Sequence, residues 1–149
     1  MKILFVCTGN ACRSALAEVI LKKMLSDKDI SGIELSSCGI KAPEGLEREE
    51  IMCRIAAEHG YTMEGKAIPA TEEMLNSADL IIVMTEHHRN EITKFLKYDN
   101  WNRIVRFNDY CFGIDADLPD PHYQTEYVYR KCFDTIECGC KEIIKKCLG

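Results

Sequence analysis

The stretch Ile3-Leu4-Phe5-Val6-Cys7-Thr8-Gly9-Asn10-Ala11-Cys12-Arg13-Ser14 constrains this chain more than any other. Its first four residues are too few for a helix, rich in β-formers and bounded by Thr-Gly-Asn, which predicts a buried strand. Beyond Arg13 the period changes. Leu16, Ala17, Ile20, Leu21, Met24 and Leu25 recur at helical spacing, with Glu18, Lys22 and Lys23 outside that stripe. Strand, short polar loop and helix is the arrangement that gathers backbone N–H groups around an anion at a helix N-terminus. Gly9 accepts a positive φ at little cost and Asn10 tolerates one, so the loop is expected to curl back on itself. Cys7 then lies under a ring of donors. Arg13 supplies a planar fork matched to phosphate oxygens, and Ser14 is placed to hydrogen-bond the sulfur. The helix N-terminus and the guanidinium both favour the thiolate, so the expected product is an activated sulfur facing a phosphate.

The rest of the chain alternates strands and helices. Strands are predicted at Ile33 to Ser37, Asp79 to Met84 and Ile104 to Phe107. Helices are predicted from Leu46 to His59, for a short turn capped by Thr71, from about His87 to Leu96, and from about Glu126 onward. In the last, Val128, Cys132, Ile136, Cys140, Ile143 and Cys147 share one arc and form a core stripe, while Cys138 points to the opposite side. Such alternation implies a parallel sheet covered on both faces, with ligands beyond the carboxyl ends of the strands, where Cys7 falls.

A second chemical centre is Asp117-Leu118-Pro119-Asp120-Pro121-His122-Tyr123. Two prolines hold the backbone extended around Asp120, which suits a carboxylate reaching over a pocket. The plainer reading is a proline-stiffened connection with a capping Asp. Asp117 and Asp115 are further candidates for an acid. His87-His88 reads as an exposed helix start and His59 as a helix C-terminus, and neither has a partner set that implies a ligand.

At 149 residues the chain fits one domain, spanning 1–149, that buries ~70% of its unfolded surface. A net charge of −5 argues against a broad nucleic-acid footprint but not against a single phosphate pocket, where local donors decide. No apolar run reaches the roughly 18 residues of a membrane span, and the first residues enter a strand without a signal-peptide pattern. A cytoplasmic protein without membrane attachment is expected. The nine cysteines, an odd count, then read as reduced thiols rather than a disulfide framework. Cys132, Cys138, Cys140 and Cys147 are poorly spaced on one helix for a metal, so neither metal nor cofactor is expected.

Cys-x5-Arg-Ser directly after an N-terminal strand, with the Gly9-Asn10 pair, the second Cys12, Ala17-Glu18 downstream and a late Asp-Pro at Asp120-Pro121, resembles the low-molecular-weight protein tyrosine phosphatase family. The resemblance implies a flavodoxin-like, doubly wound α/β domain with a four-stranded parallel sheet and helices on both faces. It assigns Cys7 as nucleophile, Arg13 as phosphate binder and Asp120 as general acid and base. Residues Thr8, Gly9, Asn10, Ala11, Cys12, Arg13 and Ser14 become the phosphate-binding loop, propped by Asn10, Ser14 and Ser37. The family's usual histidine in that prop is not evident near Gly65-Lys66. Cys7 and Cys12 match a pair that forms a reversible, protective disulfide under peroxide; the alternative is that Cys12 simply fills space. The implied partners are phosphorylated proteins, with phosphate or another oxyanion in the loop, and the protein is expected to be a monomer or weak dimer.

Substrate choice is less marked. The pocket positions are Thr8, Ala11, Pro43, His122 and Tyr123, whereas tyrosine-directed members usually carry apolar residues at the first two, an aromatic near the third and Tyr-Tyr after Asp-Pro. Pro is also usual where Ala15 stands. The aromatic slot is therefore thin, with Tyr123 as its wall. Bacterial protein-arginine phosphatases share Cys-Thr-Gly-Asn-x-Cys-Arg-Ser and Met-Thr-x-x-His, here Met84 to His88, but typically have Thr at Ala11. The reading is a phosphotyrosine phosphatase first and an arginine phosphatase second. Arsenate reductases share the loop but need redox cysteines that residues 79 to 99 lack. A flavodoxin-like FMN carrier or a phosphocysteine sugar-transport carrier would leave Arg13 unexplained.

Overall fold

Along the first strand, β1 (Lys2–Cys7), alternate residues serve two different cores. Ile3, Phe5 and Cys7 join one apolar cluster, and Leu4 and Val6 join another. A strand apolar on both faces must be covered on both, which places it inside a parallel sheet. The computed structural model describes residues 1–148. Its sheet has four parallel strands in the order β2-β1-β3-β4, where β2 is Glu34–Gly39, β3 Leu80–Val83 and β4 Ile104–Arg106.

Helices α1 (Arg13–Asp27), α2 (Glu50–Glu58), α5 (Phe107–Phe112) and α6 (Glu126–Leu148) lie on the face of Ile3 and Phe5. Helices α3 (Glu72–Ser77) and α4 (Glu86–Ile92) cover the other face through Leu75 and Ile92. The chain leaves β1 for β2 on one side and returns to β3 on the other. Strand order thus reverses beside β1, and the crevice of such folds opens beyond the carboxyl end of that strand. The predicted α/β class, four-stranded sheet and double helical cover are all present.

Helix α6 buries Cys132, Phe133, Ile136, Cys140 and Ile143, and each large side chain so removed from water contributes ~1.5–3 kcal/mol. Cys147, at the end of the predicted stripe, is only half-buried, and Cys138 is exposed. The described residues contain no group of three His, Cys, Asp or Glu side chains placed for a metal, and no helix among them is long and apolar enough to cross a membrane.

Three of the predicted element boundaries differ from the structure for a physical reason. Helix α2 begins at Glu50, not Leu46, because residues 45 to 49 spend their backbone groups elsewhere. Ala67 N–H donates to the Leu46 carbonyl (2.8 Å), and Glu49 N–H donates to the carbonyl of Ala11 in the loop (2.9 Å). Glu49 then caps the helix. Helix α4 stops at Ile92 and gives way to a 3-10 turn, Thr93–Phe95. Phe107 opens α5 rather than closing β4, its ring fully buried against α6.

Candidate active site

Strand β1 ends at Cys7 and helix α1 begins at Arg13, so the loop is what lies between them. Its left-handed residue is Asn10 (φ 52°), whereas Gly9, the residue best suited to that region, stays out of it. The Asn10 side chain, fully buried, shows why. Its Oδ1 accepts from the Ile68 N–H (2.9 Å) and from the Arg48 guanidinium (3.1 Å), and its amide donates to Ser14 Oγ (2.8 Å) and Ser37 Oγ (2.9 Å). Every hydrogen-bonding position of the amide is filled. A backbone N–H and a guanidinium can only donate, so the amide can face only one way.

That direction carries through to the sulfur. Ser37, receiving from Asn10, passes its own proton to Glu18 Oε1 (2.6 Å). Ser14, likewise receiving, keeps its proton for Cys7 Sγ at 2.8 Å or for the Cys38 carbonyl at 3.3 Å. Asn10, Ser14 and Ser37 are therefore brought together as the sequence led one to expect. Arg48 stands where a histidine was sought near Gly65, and donates in addition to the carbonyls of Asn10 and Glu64.

Gly39 permits the loop to lie this close to β2. A Cβ there would stand 2.4 Å from the Thr8 carbonyl oxygen and 2.9 Å from the Asn10 nitrogen, both backbone atoms that cannot turn aside. Gly39→Ala should lower kcat/KM at least ~10-fold and stability by ~1–3 kcal/mol, as overpacking does. Steady-state kinetics with a thermal melt check this.

Arg13 is 3% exposed and points its fork at the second centre. Its Nη1 donates to the Leu118 carbonyl (2.7 Å) and its Nη2 lies 3.8 Å from Asp120 Oδ2. Asp120 is half-exposed, and its other oxygen accepts from the His122 N–H (3.0 Å), fixing the turn after Pro119. Asp115 and Asp117 are occupied otherwise. Both pair with the buried Arg106, and Asp117 also caps α4 by accepting from the Glu86 N–H (3.0 Å).

Cys7, the loop and Asp120 open on one cleft of about 320 Å³, walled by Leu46, Glu47, Glu49, His122 and Tyr129. Thr8 and Ala11 line it as expected, but Pro43 and Tyr123 do not. Tyr123, in a left-handed turn (φ 63°), is 92% exposed and lies against the His122 ring, 3.8 Å between centroids. The aromatic wall is Tyr129 of α6, whose phenol is pushed up to about 12 by burial and by the Glu49 carboxylate. A larger cleft of about 760 Å³ lies behind the loop, with Glu18, Lys22, Arg48 and Lys66 in its walls.

His88 is not the exposed residue the sequence suggested. It is 1% exposed on the buried side of α4, with Nε2 2.9 Å from Thr8 Oγ1, so it braces the loop from below. Burial, then the Arg13 charge, depresses its pKa from 6.5 to about 4. The folded state thus binds His88's proton less readily than the unfolded chain does. Stability is complete above pH ~6.5 and falls as pH drops toward 4, by a total on the order of 3 kcal/mol. Thermal midpoints between pH 7 and 4.5 should show that slope, and His88→Gln should flatten it.

Cys12 lines the cleft and also packs against the core that α6 helps to build. Its thiol is held well above the ordinary range by a hydrogen bond with Cys132, by burial and by the nearby Cys7. Cys38, beneath Cys7, is pushed up to about 12 by burial and by Cys7's proximity.

Fold and loop together define a class, parallel α/β proteins with a cysteine-arginine anion loop at the switch point of the sheet. Within it, the chain belongs to the low molecular weight phosphotyrosine protein phosphatase family, whose model matches residues 2–148, and is a phosphatase. It is 35% identical over 136 residues to the low molecular weight protein-tyrosine-phosphatase PtpB of Staphylococcus haemolyticus, covering 91% of this chain and 92% of that one. To a protein-arginine-phosphatase of Bacillus subtilis it is 29% identical over 148 residues, covering 98% and 96%. A solved structure of the YwlE arginine phosphatase, a cysteine-to-serine mutant with a phosphorylated active-site serine, superposes with a TM-score of 0.91 at 26% identity, covering 98% and 95%.

Proposed function

We propose that this enzyme hydrolyses phosphotyrosine in proteins through a phosphocysteine formed on Cys7. The observation that carries the reading is convergence: the Cys7 sulfur, the loop, the Arg13 fork and the Asp120 carboxylate share one cleft. Cys7 attacks phosphorus in line, while loop N–H groups and Arg13 hold the equatorial oxygens. Asp120 gives its proton to the leaving oxygen, and then takes one from the water that cleaves the S–P bond, releasing phosphate and free Cys7. The phosphorylated serine of the YwlE mutant supports a covalent intermediate at the loop. Leu46, Ala11 and Tyr129 offer apolar walls to a phenol ring.

A second reading has a specific observation in its favour. Glu47 and Glu49 join Asp120 around the cleft mouth, a setting that suits a cationic guanidinium leaving group, and the relatives include protein-arginine-phosphatases. Matched phosphotyrosine and phosphoarginine peptides assayed side by side decide between them. Higher kcat/KM on phosphotyrosine is expected, the reverse order would establish the arginine reading, and hydrolysis of neither would remove both.

The reading includes a single catalytic domain, a cytoplasmic location and a monomer or weak dimer. It also includes protection of Cys7 from peroxide by a disulfide with Cys12. Since Cys12 must ionise to attack the Cys7 sulfenic acid and its thiol is held up by Cys132 and burial, closure should be slow at pH 7 and accelerate toward pH 9. Dithiothreitol should restore activity, and Cys12→Ser should be lost irreversibly. Mass spectrometry of peroxide-treated protein reads both.

A further inference from the structure

We infer that Arg48 is a positioning residue for the phosphate loop: it fixes the direction of the hydrogen-bond chain that delivers the Ser14 proton to Cys7. The inference rests on the reading that Cys7 and its loop bind the phosphoryl group.

Four observations support it. Among the described residues Arg48 is the one charged side chain that donates to Asn10, and it does so twice, to Oδ1 at 3.1 Å and to the main-chain carbonyl. Asn10 is the loop's left-handed residue, a conformation asparagine tolerates, so its buried side chain sits at the bend of the loop where a fixed donor can act on it. The guanidinium is itself anchored, because Nε donates to the Glu64 carbonyl at 3.1 Å. Finally, the guanidinium lies against the main chain at Gly65, where a Cβ would stand in ordinary contact with Arg48 Nη2 at 3.4 Å.

Electrostatics give the direction a consequence. With Oδ1 turned to Arg48, the Asn10 amide must donate to Ser14, and Ser14 must donate onward, to the Cys7 sulfur at 2.8 Å or, at the longer 3.3 Å, to the Cys38 carbonyl. Were the amide free to flip, its oxygen would compete for the Ser14 proton and the sulfur would lose a donor. Hydrogen bonds to a charged acceptor are the stronger kind, so a thiolate at Cys7 is stabilised by a group more than ten residues beyond the loop. The other charged or ionisable groups around Cys7 are Arg13 from α1, His88 against Thr8, the cleft-wall residues Asp120, His122, Glu47, Glu49 and Tyr129, and the thiols of Cys12 and Cys38. None of them touches Asn10's oxygen. Ile68 N–H also orients Asn10, but as a neutral donor on one side of the oxygen.

The test compares wild type, Arg48→Met and Arg48→Lys in three measurements: inhibition by inorganic phosphate, the pH profile of Cys7 alkylation by iodoacetamide, and the thermal midpoint. Arg48→Met should weaken phosphate inhibition about tenfold and move the alkylation midpoint up by about one pH unit, the weight of one charge-assisted hydrogen bond. Arg48→Lys keeps the charge but cannot reach Asn10 and Glu64 together, and should fall between. An alkylation profile of the methionine variant that superimposes on wild type overturns the inference. If that variant does not fold, a lysine variant with the wild-type profile and wild-type phosphate inhibition overturns it instead. Wild-type protein that neither binds phosphate nor shows enhanced thiol reactivity would remove the proposed function itself, a distinct result.

Discussion

Cys7→Ser should reduce turnover by about a millionfold, to background, while leaving the fold and phosphate binding intact. Serine is close to isosteric and can still accept from Ser14 at the same place, so the loop, Arg13 and the Asn10 network have no reason to rearrange. What is lost is nucleophilicity. Sulfur is intrinsically the stronger nucleophile, whereas a serine hydroxyl needs an adjacent base to attack. The measurement is therefore double: single-turnover kinetics on a phosphotyrosine peptide, and phosphate affinity by calorimetry. Loss of both would indicate damage to the loop, and retention of turnover would remove Cys7 as the nucleophile.

Asp120→Asn should cost ~10²- to 10⁴-fold in kcat on phenyl phosphates whose leaving group has a pKa of about 10. The loss should shrink as the leaving group becomes more acidic, since a phenolate that departs unaided needs no proton. Asparagine retains an oxygen for the His122 N–H, so the turn at Pro119 survives and the effect isolates the proton. A series of aryl phosphates gives the slope. A uniform loss across the series would mean that Asp120 positions substrate or Arg13, 3.8 Å away, rather than supplying the proton.

Some of this was legible in the residues and some was not, for reasons that can be named. Strand β1 and its loop were readable because an apolar run of four bounded by Thr-Gly-Asn has few other folds open to it. The stripe on α6 was readable because 3.6-residue spacing leaves Cys132, Ile136, Cys140 and Ile143 in line. Helix α2 was read four residues too early because local pattern cannot show that the Leu46 carbonyl and the Glu49 N–H are taken by Ala67 and Ala11. His88 was misread for a related reason. On a helix as short as α4, an adjacent pair of histidines gives no sign of which one turns inward, and the partner, Thr8, is 80 positions away. Arg48 and Tyr129 left no signal, as both act on the cleft through folding alone. The left-handed residue was narrowed to Gly9 or Asn10, and the choice lay in hydrogen bonds that reach to Ile68 and Arg48.

The clamp on the segment before Asp120 carries a mechanical consequence. Arg106 grips Asp115 and Asp117, Leu118 N–H donates to the Met84 carbonyl at 2.9 Å, and Arg13 holds the Leu118 carbonyl. The main chain leading into Asp120 is therefore tied down as far as Leu118, and the stretch from Pro119 to the start of α6 at Glu126 lies beyond those ties. Arg13, which lines the cleft and holds the Leu118 carbonyl, thereby ties the placing of Asp120 to the loop itself.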